Sequence, residues 1–213
     1  MLCPGVIASD NLGVVETLDE DKSTVVSALR DAVRRSGLTQ GAFACAIGTS
    51  APRLSSYMTG GVVPSAVVYL RILRVANALA GAAAAGWLSA PATAAAAAAA
   101  TAAGDEGWAF VVVLQGRDHL RELLSTRPEL VSAWEAAPRS TQSARWDVLL
   151  AAVTAHEFDA AGRRAPRWTR KPSLVEPWVL PSPRLSTGEV RARTPAWLAE
   201  KGVYVTERDL VTL

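Results

Sequence analysis

The titratable and nucleophilic side chains decide which chemistry this chain can do, and they are few. The 213 residues hold two histidines, His119 and His156, and two cysteines, Cys3 and Cys45. Acids flank each histidine (Asp118 and Glu122; Glu157 and Asp159), but neither has a second histidine four residues on, and no Cys/His spacing fits zinc. Both histidines are expected in solvated or core-edge positions. "GRDHL" and "GRRAP" lack the spacing of a phosphate-cradling glycine loop, and no nucleophile motif surrounds the serines. Cys45 reads as an outward-facing thiol without a catalytic role. The inventory argues against an enzyme and calls for no cofactor and no metal.

A second set of polar residues has the spacing for recognition. In "LTQGAFACAIGTSAPRLSSYMTGG", residues 38–61, Thr39 can cap a helix over 40–47 that Gly48 ends. Ser50 can cap a second over 51–59, with Pro52 in its first turn and Gly60-Gly61 as its stop. Phe43, Ala44, Ile47, Leu54 and Tyr57 fall where two crossing helices would share a core. Gln40, Ala51, Arg53, Ser55, Ser56 and Thr59 are left facing out. Short or hydrogen-bonding side chains at a helix N-terminus suit a helix whose start sits in the DNA major groove and reads base edges. Two packed helices kept for protein contacts would show the same spacing.

The flanking sequence supplies the elements that must hold this pair. Ser23 or Thr24 can cap a helix carrying Val25, Leu29, Ala32 and Val33 at helical spacing, closed by Gly37. Pro64-Ser65 opens a fourth helix through residue 79, with Val68, Ile72, Val75 and Leu79 on one side.

With those residues in view, residues 25–79 resemble the lambda-repressor-like, or Xre-type, helix-turn-helix domain. "GLTQGAFACAIGTSAPRLSSYMTGG" matches that family's Gly, Leu, Thr/Ser, Gln, apolar-Ala, Gly, capped-helix and Gly-stop pattern, and "VPSAVVYLRILRVANAL" matches its fourth helix. The resemblance implies a DNA-binding set of Gln40, Ser50, Ala51, Pro52, Arg53, Ser55, Ser56 and Thr59. In it Gln40 would touch the phosphate backbone. Ala51, Pro52, Ser55 and Ser56 would face the groove, and Arg53 would reach a base edge or phosphate. Ala51 and Pro52 stand where the family often has long polar base readers. "GGVVPS" lacks the basic residues often found in that loop, so Arg30, Arg34, Arg35, Arg71 and Arg74 are the alternative sources of charge.

Charge divides the chain into blocks behind a small net of +2. Residues 1–22 carry −4, 23–79 carry +5, 105–162 carry −4 and 163–193 carry +6. Two basic blocks among acidic ones imply local anionic contacts. The second holds "GRRAPRWTRKPSLVEPW", in which Arg163, Arg164, Arg167, Arg170 and Lys171 interleave with Trp168 and Trp178. That mixture suits a second nucleic-acid contact or an acidic protein groove. It equally suits tryptophans packed on the domain with arginines in water.

The expected fold is mainly α: an N-terminal lambda-repressor-like helix-turn-helix bundle and a C-terminal helical domain with an extended Pro-rich segment. Residues 1–22 read as a flexible acidic leader and 23–79 as the helix-turn-helix domain. Residues 80–104 read as an Ala-rich linker, and 105–213 as a helical domain for oligomerisation or partner binding. Half the residues are hydrophobic, but alanine inflates that figure and is too near neutral for a membrane span. No export signal is seen, so a cytoplasmic protein is expected.

The C-terminal half also resembles the tails of actinobacterial helix-turn-helix antitoxins, through "ARWDVLLAAVTAH", "APRWT" and "TPAWLAEKGVYVTERDLVTL". The Ala/Arg/Val-rich composition fits a high-GC actinobacterial source. Together the resemblances imply a sequence-specific transcriptional repressor, the autoregulating antitoxin of a toxin–antitoxin pair. Its partners would be a double-stranded DNA operator, a second copy in a homodimer, and a cognate toxin bound by residues 105–213. The alternatives are a phage-type or ligand-sensing repressor whose C-terminal domain dimerises or makes a second DNA contact, and an enzyme with a DNA-targeting domain.

Overall fold

The computed structural model describes residues 10–211. Four helices form the first bundle: α1 (Asp10–Arg35), α2 (Gln40–Ala46), α3 (Ala51–Met58) and α4 (Ala66–Ala84). Three hydroxyls start the last three. Thr39, Ser50 and Ser65 each accept a hydrogen bond from the backbone N–H three residues on, at 3.3–3.4 Å. Gly48 makes the α2–α3 turn at φ +71°, a left-handed conformation that costs glycine no Cβ clash. Leu29, Phe43, Leu54 and Ile72, one from each helix, are completely buried together. The helix pairs foreseen from caps and glycines are present.

The acidic leader needs correction. Its backbone is helical from Asp10 and continuous with α1, while residues 1–9 lie outside the described residues. A search for apolar periodicity does not register a helical stretch this poor in apolar spacing.

The Ala-rich linker over 80–104 needs a larger one. Residues 80–84 complete α4, and α5 (Ala90–Ala102) is a capped, well-packed helix. Ser89 caps it, and Thr93, Ala94, Ala97 and Ala100 are buried against α6 (Glu106–Thr126). Alanine buries little area itself, but its smallness lets the facing helix come close and bring the large side chains. At the closest point, a Cβ added to Gly116 on α6 would lie 2.5 Å from Thr93 Oγ1. Alanine's helix propensity supplies the rest.

Beyond α6 come α7 (Ser132–Glu135), α8 (Ala144–Ala160), α9 (Thr187–Ala192) and α10 (Ala196–Ala199), with short 3₁₀ turns at Pro128–Leu130, Arg167–Thr169 and Arg208–Leu210. Trp134, Trp146, Leu149, Phe158 and Leu198 centre this second core. The N-cap position of α8 is Ser143, whose side chain makes no capping hydrogen bond. Ser140 and Thr141 hold the Asp147 carboxylate at 2.7–2.8 Å. The Pro-rich stretch is pinned by a two-residue parallel pairing between β1 (Trp178–Val179) and β2 (Val203–Tyr204). The Glu157 carboxyl group is buried, and Arg121 donates two N–H···O bonds to it, of 3.0 and 2.6 Å. That bond raises the Arg121 pKa above its ordinary range.

The two cores meet at the turn between α4 and α5. Leu88 N–H donates to His119 Nδ1 at 2.9 Å, and Leu88 C=O accepts from Trp134 Nε1–H at 2.8 Å. Trp87 packs against both cores. Ala133 and Ala136 of the α7 region enter the first core, and Ala137 N–H donates to Ala46 C=O at 3.1 Å. The apolar residues of α4, which is long and apolar enough by length and composition to cross a membrane, include Ile72, Val75 and Leu79, all buried in this first core.

Two outcomes follow. Gly116→Ala destabilises the fold by about 1–3 kcal/mol in urea unfolding, because buried Thr93 cannot move aside. Partial burial lowers the His119 pKa from 6.5, against an opposing pull from Asp118. The unfolded chain then binds more protons, so this contribution is complete above about pH 6.5 and is lost as pH falls below it. Between about pH 7.5 and about pH 5.5, the Tm of wild type falls further than that of His119→Gln, whose side chain accepts a hydrogen bond without titrating.

Candidate nucleic-acid interface

The outward surface of α3 follows from its inward one. Leu54 and Tyr57 are buried at 0% and 5% exposure, three residues apart on one side. Ala51, Pro52 and Arg53 are therefore open at the N-terminal end, with Ser55 and Ser56 half-buried and Thr59 exposed. Gln40 is exposed at the start of α2. None of the eight residues of the expected set is buried, so this strip of α2 and α3 stays accessible.

Their hydrogen bonds sort them. Ser50 Oγ accepts from Arg53 N–H and is occupied as the cap. Ser56 Oγ–H donates to Pro52 C=O at 3.1 Å, and Thr59 Oγ1–H to Ser55 C=O at 3.1 Å, so both hydroxyl protons turn back on the helix. Their lone pairs remain as acceptors. Arg53 is the long donor of the strip, and its Nε–H bonds Tyr57 Oη at 3.1 Å. That contact restrains an otherwise mobile guanidinium on the α3 surface.

The arginines named as alternative charge divide three ways. Arg30 Nε–H donates to Met58 C=O at 2.9 Å and closes the α3 C-terminus. Arg34 pairs with Asp31 at 2.7 Å, and Arg35 is exposed at the end of α1. Arg71 and Arg74 lie on the outer side of α4.

One cation near this strip has no signal in the sequence. Exposed Arg139 belongs to the α7–α8 connection, yet its Nη2 lies 2.8 Å from where a Gly41 Cβ would stand. Gly41 leaves the space, and Ala137–Ala46 and Cys45–Pro138 contacts fix the connection against α2. Nothing within "AAPRS" marks this arginine, because the partner is nearly a hundred residues upstream. Cys45, expected to face outward, is half-covered by that connection, and its S–H donates to Pro138 C=O at 3.6 Å.

The second basic block divides by residue type. Trp178 is buried against Trp146 with ring centroids 4.9 Å apart, and Trp168 Nε1–H donates to Trp134 C=O at 3.0 Å. Arg163, Arg164, Arg167 and Arg170 are all exposed, and Lys171 is half-buried. Arg164, Arg167 and Arg170 line a groove with Arg71, Arg74 and the Gly48 turn, and the two basic blocks meet there. Arg163 and Lys171 are not among its lining residues.

The histidines hold no site together. His119 serves the Leu88 turn, and His156 stacks on Trp197 at 4.2 Å. Among the described residues, no three His, Cys, Asp or Glu side chains are grouped to hold a metal ion.

Residues 26–87 match a helix-turn-helix domain family, consistent with the Xre type and extending past the expected boundary at 79 to take in the whole of α4. Neither a curated protein nor a solved structure matches the chain.

Ser50→Ala removes the cap and lowers stability by about 1 kcal/mol in denaturant unfolding without DNA present. A neutral result would leave Ser50 available for a base contact only.

Proposed function

We propose that this helix-turn-helix protein, whose domain marks a DNA-binding regulator, is a cytoplasmic, sequence-specific transcriptional repressor and not an enzyme. The supporting observation is the exposure of Gln40, Ala51, Pro52, Arg53 and Thr59 along two capped helices, although the second module packs directly against α2. The start of α3 enters the major groove, with Arg53 as the principal donor to base edges or phosphate. Gln40 and Arg139 engage the backbone beside it, Arg139 being a cation that the second module supplies to the helix-turn-helix surface. Ser55, Ser56 and Thr59 offer acceptors and small contact surfaces, which favours modest base discrimination.

Within this reading the protein is the autoregulating antitoxin of a toxin–antitoxin pair. A protein partner on the second module is supported by Trp108 and Val111, exposed at 54% and 42% one turn apart on α6. A homodimer on DNA is supported by the exposed apolar row Val62, Val63, Val67 and Leu70, which lies next to α3 in sequence.

A DNase footprint on the DNA upstream of the gene tests the reading. Wild type protects a site, and protection weakens as salt rises. Arg53→Ala weakens binding by about 1–3 kcal/mol, roughly five- to 150-fold, and relaxes sequence preference. Arg139→Ala weakens binding to all sequences alike and leaves preference intact. A two-fold protected site with half-sites about one helical turn apart supports the homodimer. Absence of protection at low salt contradicts DNA recognition by α3.

A further inference from the structure

The groove that joins the two basic blocks has a composition that α3 does not explain. One wall is α4, where Arg71 and Arg74 sit three residues apart and therefore on one face. The floor is the α2–α3 turn, residues 46–48. The opposite wall is the segment carrying Arg164, Arg167 and Arg170 around Trp168. That wall is built to stay in place. Arg167–Thr169 forms a 3₁₀ turn, Thr169 Oγ1–H donates to Pro166 C=O at 2.8 Å, and Trp168 is hydrogen-bonded to Trp134 C=O.

Five guanidiniums and one carboxylate, Glu135, line a space of about 780 Å³. Glu135 reaches Arg74 only at 4.0 Å, with both side chains partly in water, and also accepts the Ser132 hydroxyl at 2.8 Å, so it offsets little of the charge. Like charges gathered from elements nearly a hundred residues apart repel one another, and a bound polyanion relieves that repulsion. Arginine forks match phosphate oxygens in pairs, which separates this arrangement from a solvated lysine surface. The floor lies two residues before the Ser50 cap, so an anion in the groove is a direct neighbour of the start of α3.

We infer that this groove is a second anion site that binds clustered phosphoryl groups. They come either from consecutive phosphates of a DNA strand beside the groove read by α3, or from a free oligophosphate. The first source rests on the reading of α3 as a DNA-recognition helix, and the second does not. Either way the C-terminal module takes part in binding, because three of the five arginines belong to it.

The test uses the full chain with two probes, inorganic tripolyphosphate by calorimetry and a duplex containing the footprinted site (or a random duplex) by anisotropy over a salt series. Three variants are compared: Arg164→Ala/Arg167→Ala/Arg170→Ala, Arg71→Ala/Arg74→Ala, and the charge-matched control Arg145→Ala/Arg184→Ala/Arg208→Ala. Tripolyphosphate binds wild type at one site, and each groove variant weakens it about tenfold or more while the control does not. If the natural occupant is the DNA backbone, the groove variants also make the slope of log affinity against log salt shallower by about 0.9 for each phosphate no longer neutralised. If it is a free oligophosphate, that slope stays unchanged. Failure of tripolyphosphate to bind together with unchanged slopes overturns the inference. So does an equal weakening in the control, since bulk charge alone would then account for the attraction. Tripolyphosphate binding by a protein that binds no duplex would leave the groove standing and remove the reading of α3.

Discussion

How the two cores are joined depends on the backbone N–H and C=O of one residue, Leu88. The chain leaves α4 through Gly86 and starts α5 at Ala90, so the turn between them must satisfy its own backbone polar groups. It does so through the second module. His119 accepts the Leu88 N–H and Trp134 donates to the Leu88 C=O, so the loop joining the two cores is held on both sides by side chains of the later one. Leu88 is half-buried, so leaving either group unpaired would cost up to about 1–3 kcal/mol, the penalty of a fully buried group. Trp134 extends the constraint, since its own carbonyl takes the Trp168 N–H. The turn, α7 and the basic segment therefore share one line of hydrogen bonds.

Two consequences bear on function. The α7–α8 connection lies against α2 and puts Arg139 over Gly41, near Gln40. The segment after α8 lies across from α4 and puts three arginines opposite two more. Separately, these are ordinary surface cations of an acidic block and a basic block. Docked, they extend the positive surface of the helix-turn-helix domain in two directions from α3. The C-terminal module thus adds cations to the surface of the helix-turn-helix domain.

The helix-turn-helix bundle was legible because its signals are local. Thr39, Ser50 and Ser65 act within three residues of themselves, Gly48 supplies its own left-handed turn, and Phe43, Leu54 and Tyr57 repeat at helical spacing. What stayed hidden depends on distant partners. The buried role of α5 is encoded in α6, where Gly116 opens the space that Thr93 fills, so the alanine run by itself looks like a linker. The Asp10–Arg35 helix starts among acids, where no apolar stripe marks it. Arg139 carries no signature, and the arginines of the second basic block could be separated from its tryptophans only when Trp178 and Trp168 found their places in the second core. The second basic block was marked by its composition, whereas its place opposite Arg71 and Arg74, and Arg139 over Gly41, had no local signal.

The Leu88 amide offers the most direct measurement. In native-state hydrogen exchange on the full chain, a Leu88 N–H locked to His119 exchanges as slowly as the core amides of α6 and α8, because only concerted opening of the two modules frees it. Exchange at the rate of an open loop would contradict the single body, and with it the shared anion-binding surface that the single body creates.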